Sequence, residues 1–229
     1  MIKIIIILII LLITCCEIDR NAYMYKSIFD FYYRSFPNDI LYGIHNSIYK
    51  IYNSKMIFDP TNMIFNKYLI DNKSKILTEY LKVENTKIEI YAHNHSSQLK
   101  KDFNYKYIFL KLGKKLFTDN LKHFSTIETF LKKHTNIKTC FFSIMNKRKI
   151  IPYHMGPSNS ILRYHLPIIM SNPKECYIEV MGKKLFYDKP FLFDDTYPHK
   201  LQKNDDTKRV VLIIDIDNPY SFFHIHKYI

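Results

Sequence analysis

Residues 140–145 (CFFSIM), 161–168 (ILRYHLPI) and 209–215 (RVVLIID) decide the fold of this chain. Each is a short run of Ile, Leu, Val, Phe and Tyr, the residue types that favour β-strands. Four further runs share this composition, and turn-forming residues separate the runs at roughly eight to twelve positions. They are residues 150–153, 176–180, 184–186 and 191–193. Seven or eight such strands predict a mainly β fold, a sandwich or barrel of the double-stranded β-helix (jelly-roll, cupin-like) type.

Upstream of these runs, the pattern changes to apolar residues at spacings of three and four. Ile76, Tyr80 and Leu81 are one example, and this spacing predicts short amphipathic helices between residues 21 and 131. Asp59-Pro60 and residues 94–97 interrupt the pattern as turns, and residues 87–92 form a candidate short strand. We therefore expect a helical N-terminal region over 21–131 that packs on the core, a double-stranded β-helix domain over 132–219 and a tail over 220–229.

The first 20 residues have the layout of a signal sequence or short signal anchor. Lys3 precedes an unbroken apolar run over residues 4–13, which is followed by Cys15 and Cys16. This layout predicts entry into the lumen of the secretory pathway, as a secreted or membrane-anchored protein, with possible membrane association through residues 4–16. In that oxidising compartment Cys140 and Cys176 could form a disulfide; two thiols buried in strands are the alternative.

The composition favours a single catalytic unit. The 229 residues are 47% hydrophobic, which is enough for one sizeable core. The formal net charge is +13, but the Lys and Arg residues are scattered along the chain instead of clustered. This distribution predicts a solvated surface and argues against a nucleic-acid-binding protein.

Three histidines and two arginines on or beside the predicted strands carry the chemistry: His154, His165, His199, Arg163 and Arg209. An iron site in a jelly-roll oxygenase needs two imidazoles, and its keto-acid cosubstrate needs a cation inside the pocket. Arg209 opens the apolar run 210–214, so its guanidinium is expected inside the barrel. A charge in that position is costly unless an anion is bound. An internal salt bridge to Asp194 or Asp215 is the competing explanation.

Two segments resemble known motifs. The first is HMGPSN at residues 154–159, continued by LRYHL at 162–166; the second is FDDTYPH at 193–199, followed by RVVLIID at 209–215 and Pro219. Together, in this order and with ten residues from His199 to Arg209, they closely resemble the two metal-ligand motifs of the aspartyl/asparaginyl β-hydroxylases. Residues 143–145 are a shorter upstream match.

This resemblance implies a role for each matching position. His154 and His199 would bind iron(II), and Gly156 stands where most 2-oxoglutarate oxygenases have a carboxylate ligand, an absence that the β-hydroxylases share. Asp195 would complete the catalytic set by holding a water beside the metal. The cosubstrate-binding positions form the remaining group: Arg209 and Ser143 at the distal carboxylate of 2-oxoglutarate, Arg163 and His165 near its metal-bound end.

The implied activity is an iron(II)- and 2-oxoglutarate-dependent dioxygenase. Such an enzyme uses O2 to convert 2-oxoglutarate into succinate and carbon dioxide while it hydroxylates a C–H bond. In the family, the target is the β-carbon of Asp or Asn in protein substrates such as disulfide-rich EGF-like domains, which a lumenal location would suit. Two alternatives stay open: the same chemistry on a lipid or small molecule, and a jelly-roll binding protein without turnover.

Overall fold

A computed structural model of the chain describes residues 5–6, 46, 48–84, 91–93, 102–156 and 158–221. Most of the predicted signal segment and the turn at 94–97 lie outside these ranges, as does nearly all of the predicted tail. The α-helices that lie wholly within these ranges are α1 (Ile64–Asp71), α2 (Lys73–Val83), α3 (Thr118–Leu121) and α4 (Ser125–Lys133). No helix in this described part is long and apolar enough to cross a membrane.

The strands of the described residues form two antiparallel sheets. Their bounds are β1 (Ile57–Phe58), β2 (Tyr91–His93), β3 (Asp102–Leu112), β4 (Lys115–Leu116), β5 (Ile137–Met145), β6 (Lys149–His154), β7 (Ile161–Met170), β8 (Cys176–Val180), β9 (Lys183–Phe186), β10 (Phe191–Phe193), β11 (His199–Lys203) and β12 (Arg209–Asp217). The large sheet has the order β1-β10-β7-β12-β5-β3-β2, with β4 beside β3, and the small sheet has the order β6-β11-β8-β9. From β5 to β12 the chain passes back and forth between the sheets, which is the predicted jelly roll.

The large sheet separates two apolar cores. On β12, Val210, Leu212 and Ile214 belong to the core under the helices, whereas Val211 and Ile213 belong to the core between the sheets. This alternation follows from the strand repeat of two residues. Because both faces of β12 are covered, its sequence is apolar without interruption, which made it easy to identify as a strand.

All seven predicted strands are present, with bounds that differ by at most a few residues. Pro152 lies on β6, at an edge of the small sheet, where a residue without a backbone N–H is tolerated. The prediction missed β11, the strand that begins at His199. Its sequence HKLQK contains a single aliphatic residue, and it becomes a strand because β6 and β8 pair with it on both sides.

The helical prediction is confirmed for α2, where Ile76 and Tyr80 are buried against the large sheet. It is wrong for residues 102–112, which form β3 and pair with β5. Here the apolar residues alternate: Tyr105 faces the space between the sheets, whereas Ile108 and Leu110 face the helix-side core. The short strand predicted at 87–92 is present where the structure describes it, as β2.

Cys140 and Cys176 are free and buried. Cys140 belongs to the helix-side core and Cys176 to the core between the sheets, so the large sheet lies between the two thiols. The disulfide hypothesis is therefore wrong, and the alternative of two thiols buried in strands is confirmed.

Candidate active site

Two imidazoles meet between neighbouring strands of the small sheet. His154 ends β6, His199 begins β11, and their Cα atoms are paired in the ladder. The ring centroids lie 4.2 Å apart. The turn before His199 is held by Asp194, whose Oδ1 accepts hydrogen bonds from the Thr196 backbone N–H at 2.9 Å and its hydroxyl at 2.6 Å. This side-chain turn starts β11 with its first side chain facing His154.

The hydrogen bonds of both imidazoles determine which nitrogen is basic. Nδ1 of His154 lies 2.8 Å from the carbonyl oxygen of Pro152, and Nδ1 of His199 lies 2.8 Å from that of Tyr197. Because a carbonyl only accepts, each neutral ring carries its proton on Nδ1 and has its lone pair on Nε2. Metal-binding histidines show this arrangement. Burial, and secondly His154, holds the pKa of His199 well below its usual value, which keeps the ring neutral.

The Asp195 carboxylate occupies the space into which a side chain at position 156 would project. The Asp195 side chain is fully buried, and a Cβ atom at position 156 would overlap its carboxylate. The Gly156 N–H donates a 2.6 Å hydrogen bond to the Asp195 carbonyl oxygen, which fixes this close approach. Among the described residues, no group of three or more His, Cys, Asp or Glu could hold a metal. Within the described residues, the site therefore offers two imidazoles, His154 and His199, as candidate ligands.

Arg163 connects two buried carboxylates. Its Nε donates to Asp215 Oδ1 at 2.7 Å, its Nη2 donates to Asp215 Oδ2 at 3.0 Å, and its Nη1 lies 3.0 Å from Asp195 Oδ2. Burial raises the pKa of Asp195 to about 7, and the neighbouring guanidinium opposes that shift. Arg163 thus lines the site with much of its hydrogen-bonding capacity engaged, so its predicted contact with the cosubstrate remains a prediction.

Arg209 is a buried cation for which the described residues provide no counter-charge. Its side chain is fully buried, yet no carboxylate of the described residues forms an ion pair with it. Nη1 donates to Ser143 Oγ at 3.0 Å, Nη2 donates to the Tyr187 hydroxyl at 2.6 Å, and Nε has no acceptor. The salt bridge considered as the competing explanation is absent, because Asp215 pairs with Arg163 and Asp194 holds its turn. A buried guanidinium of this kind requires an anionic ligand.

Six of the seven predicted site residues, all except Asp195, line one cavity of about 90 Å³ between the sheets: Ser143, His154, Arg163, His165, His199 and Arg209. Its wall consists of Tyr105, Tyr107, Phe141, Ser143, Ile151, His154, Arg163, His165, Ile178, Phe193, His199, Leu201, Arg209 and Ile213. A larger cavity of about 780 Å³ lies at the far end of β3, but its lining contains no histidine or cysteine and only one carboxylate, Glu128. The residues that carry chemistry therefore converge on the smaller cavity.

Three tyrosines of this site were not predicted from the sequence. Tyr105 and Tyr107 are adjacent aromatic rings on β3, with centroids 4.9 Å apart. Their alternation along the strand was a signal that a test for a two-residue repeat would have found. Tyr187 contacts both Arg209 and His165, but it lies between β9 and β10 and belongs to no sequence pattern.

The charges of the site fit a metal dication together with a dianionic cosubstrate. Arg163 and Arg209 are formally balanced by Asp195 and Asp215 when both carboxylates are ionised. Iron(II) and 2-oxoglutarate, which carry opposite double charges, would leave that balance unchanged. 2-Oxoglutarate would bind to the guanidinium of Arg209, which pairs with no carboxylate of the described residues. Iron(II) would bind to the Nε2 lone pairs of His154 and His199.

The chain is similar to proteins of known activity. The model of the family described as aspartyl/asparaginyl beta-hydroxylase matches residues 71–219. An ornithine lipid ester-linked acyl 2-hydroxylase from Rhizobium tropici is 33% identical over 103 residues, which are 44% of this chain and 37% of the relative. The mouse aspartyl/asparaginyl beta-hydroxylase is 31% identical over 81 residues, 34% of this chain and 11% of the relative. The chain thus spans a minor part of the length of either relative.

Among solved structures, an oxidoreductase of the 2OG-Fe(II) oxygenase family from Burkholderia pseudomallei is similar, with a TM-score of 0.44 and 12% identity. The match covers 61% of this chain and 78% of that structure.

Proposed function

From the premise that this chain belongs to the aspartyl/asparaginyl β-hydroxylase family of iron(II)- and 2-oxoglutarate-dependent oxygenases, we propose that it hydroxylates an acyl chain of a lipid. The family implies the cofactor, the cosubstrate and the type of reaction. The lipid is our proposal, and it takes precedence over the Asp or Asn side chain expected from the sequence motifs.

The observation that carries the oxygenase assignment is the unpaired charge of Arg209. A structural arginine would be expected to have a carboxylate partner. Among the described residues, Arg209 instead has two neutral hydroxyls as acceptors and a buried Nε with no acceptor, and it lines the cavity. Together with Ser143 it would hold the distal carboxylate of 2-oxoglutarate. His154 and His199 would hold iron(II) through their Nε2 atoms.

Bound iron and 2-oxoglutarate supply the oxidising power that inserts one oxygen atom of O2 into a C–H bond, while the cosubstrate becomes succinate and carbon dioxide. The chain's own residues orient and shield the reactants. Arg209 and Ser143 set the direction of the cosubstrate. Tyr105, Tyr107 and Phe141 form an aromatic part of the cavity wall, which keeps water away from the bound cosubstrate. Exclusion of water strengthens the attraction between Arg209 and an anion.

The similarity to the Rhizobium tropici enzyme supports a lipid substrate, because it covers more of this chain at slightly higher identity than the similarity to the mammalian enzymes. The net charge of +13 is also compatible with work at an anionic lipid surface. The mouse and human relatives favour the second candidate, the β-carbon of Asp or Asn in a protein substrate.

The test is the formation of succinate from 2-oxoglutarate by the purified chain with iron(II), ascorbate and oxygen. Amino-acyl lipids and disulfide-bonded EGF-like peptides are supplied separately, and mass spectrometry measures the gain of one oxygen atom in each substrate. The control variant is His199→Ala, which removes a buried candidate ligand.

Oxygen gain by the lipid alone, dependent on His199, is the result we expect. Oxygen gain by the peptide instead would replace the lipid with the second candidate. Absence of succinate in every arm, together with no iron binding, would refute the oxygenase activity and favour the binding-protein alternative.

A further inference from the structure

Tyr187 lies behind the cavity wall. Its hydroxyl is placed between Arg209 and His165, two wall residues that can donate hydrogen bonds to an anion. The side chain is 1% exposed. Its hydroxyl oxygen lies 2.6 Å from Arg209 Nη2 and 3.0 Å from His165 Nδ1. The guanidinium also stacks on the tyrosine ring, with the central carbon 4.5 Å from the ring centroid. Tyr187 therefore touches both residues without lining the cavity itself.

The chemistry of these three groups determines the direction of both hydrogen bonds. A guanidinium only donates, so the Tyr187 oxygen must accept from Arg209. The hydroxyl still has one proton to donate, and His165 Nδ1 is the acceptor that the described residues place within reach. A buried hydroxyl proton without an acceptor is costly. The favourable arrangement thus has the Tyr187 O–H donating to an unprotonated Nδ1.

We propose that Tyr187 is a positioning residue that holds His165 in the tautomer protonated at Nε2, so that His165 and Arg209 both present N–H donors to the anionic cosubstrate. The identity of that anion as 2-oxoglutarate rests on the proposed function. The tautomer of His165 does not rest on the proposed function, since it follows from the side chains of Tyr187, Arg209 and His165 alone.

The surroundings of His165 agree with this role. Its Nε2 atom is buried and has no hydrogen-bond partner, although the ring lines the cavity. Burial, followed by the charges of Arg209 and Arg163, holds the pKa of His165 well below its usual value, so the ring is neutral near pH 7. A neutral ring has one N–H. The wall attracts a carboxylate when this N–H faces the cavity, and repels it when the lone pair of the other nitrogen faces the cavity.

The first test is the ¹⁵N NMR spectrum of the imidazoles in the metal-free full chain at neutral pH, with His165 assigned through His165→Gln. We expect Nδ1 of His165 to resonate as an unprotonated nitrogen and Nε2 as a protonated one. In Tyr187→Phe this pattern should be lost, because Nδ1 no longer has a donor. A protonated Nδ1 in the unaltered chain would overturn the proposal.

The second test is the affinity for 2-oxoglutarate, measured by calorimetry with Zn(II) in place of iron. We expect Tyr187→Phe to weaken binding by roughly tenfold, the effect of one hydrogen bond to a charged group. Tyr164→Phe is the matched control. Tyr164 is equally buried, but its hydroxyl donates to Asn66 Oδ1 at 2.8 Å on the helix side of the large sheet.

Equal affinity in Tyr187→Phe and Tyr164→Phe would overturn the positioning role. Failure of the unaltered chain to bind 2-oxoglutarate, with the expected NMR pattern intact, would refute the proposed cosubstrate while the tautomer stands. The two failures are therefore distinguishable.

Discussion

Among single residues, Arg209 provides the sharpest test of cosubstrate binding. Arg209→Met removes the unpaired cation and keeps an apolar stem in the core. We expect the affinity for 2-oxoglutarate to fall about a hundredfold, because at least two charge-assisted hydrogen bonds are lost. Calorimetry with Zn(II) measures the change. Arg148→Met is the control, since that guanidinium is exposed and pairs with Asp206 at 2.7 Å.

Gly156 is the second residue with a specific expectation. Gly156→Ala should lower the free energy of unfolding by about 1–3 kcal/mol, because the new methyl group overlaps the Asp195 carboxylate. The double variant Gly156→Ala/Asp195→Ala should lose less than the sum of the two single changes, since the overlap is relieved. Urea denaturation of the four proteins measures this coupling. Strict additivity would show that the overlap has no energetic consequence.

Among the secondary-structure elements, α4 depends on a residue of α2 for its N-terminal cap. Phe124, at the cap position, makes no side-chain hydrogen bond. Glu79 Oε1 instead accepts from the Ser125 hydroxyl at 2.8 Å, and from the Thr126 N–H at 3.0 Å and its hydroxyl at 2.8 Å. The contact joins two helices that cover the large sheet on the side away from the cavity.

We therefore expect Glu79→Ala to lower the free energy of unfolding by about 2 kcal/mol, the upper range for loss of a helix cap. Glu79→Gln should lose less, because it retains the accepting oxygen. Urea denaturation checks both variants. Their affinity for 2-oxoglutarate should equal that of the unaltered chain, and a change in affinity would contradict the separation of the two faces of the sheet.

For the molecule as a whole, buried titratable groups predict lower stability in weak acid. His165 and His199 have pKa values held well below 6.5 in the folded chain, so only the unfolded chain gains their protons as pH falls below 6.5. Asp195 acts in the opposite direction, because burial raises its folded pKa to about 7. Unfolding therefore adds one proton each to His165 and His199 and removes one from Asp195. The unfolded chain thus binds about one proton more than the folded chain.

The free energy of unfolding of the metal-free chain should thus fall by about 1.4 kcal/mol per pH unit between roughly pH 6 and 5. His165→Gln removes one of the two protons and should make this dependence nearly flat. Urea denaturation with a metal chelator across this range provides the measurement. Parallel profiles for the two proteins would contradict the assignment of the effect to His165.

Much of the candidate site was predictable because its residues lie in two short motifs that resemble those of the β-hydroxylases. His154 and Gly156 lie two residues apart, Asp195 and His199 share one turn, and Arg209 opens an unbroken apolar strand. Such short spacings depend on backbone geometry and not on packing. The seven strands were predictable for the same reason, since composition and turn residues mark their ends.

Other parts could not be predicted, because they depend on distant partners. The two-residue repeat of β3 was a local signal, but the position of this strand beside β5 in the large sheet depends on a distant partner. β11 has few apolar residues and is held from both sides. No spacing could predict that Asp215 pairs with Arg163 instead of Arg209, because both arginines lie within reach of the same interior.

The type of fold could be predicted from the sequence, because strand alternation and turn chemistry act over a few residues. The two candidate metal ligands followed from the resemblance of their motifs to those of the β-hydroxylases, and Arg209 stood out as a cation at the start of an apolar strand. The packing of the strands was needed to show that no carboxylate of the described residues pairs with Arg209, that Asp195 fills the space above Gly156, and that Tyr187 links Arg209 to His165. These features depend on side chains from different strands meeting between two sheets, where burial makes each unpaired charge and each hydrogen-bond direction energetically decisive.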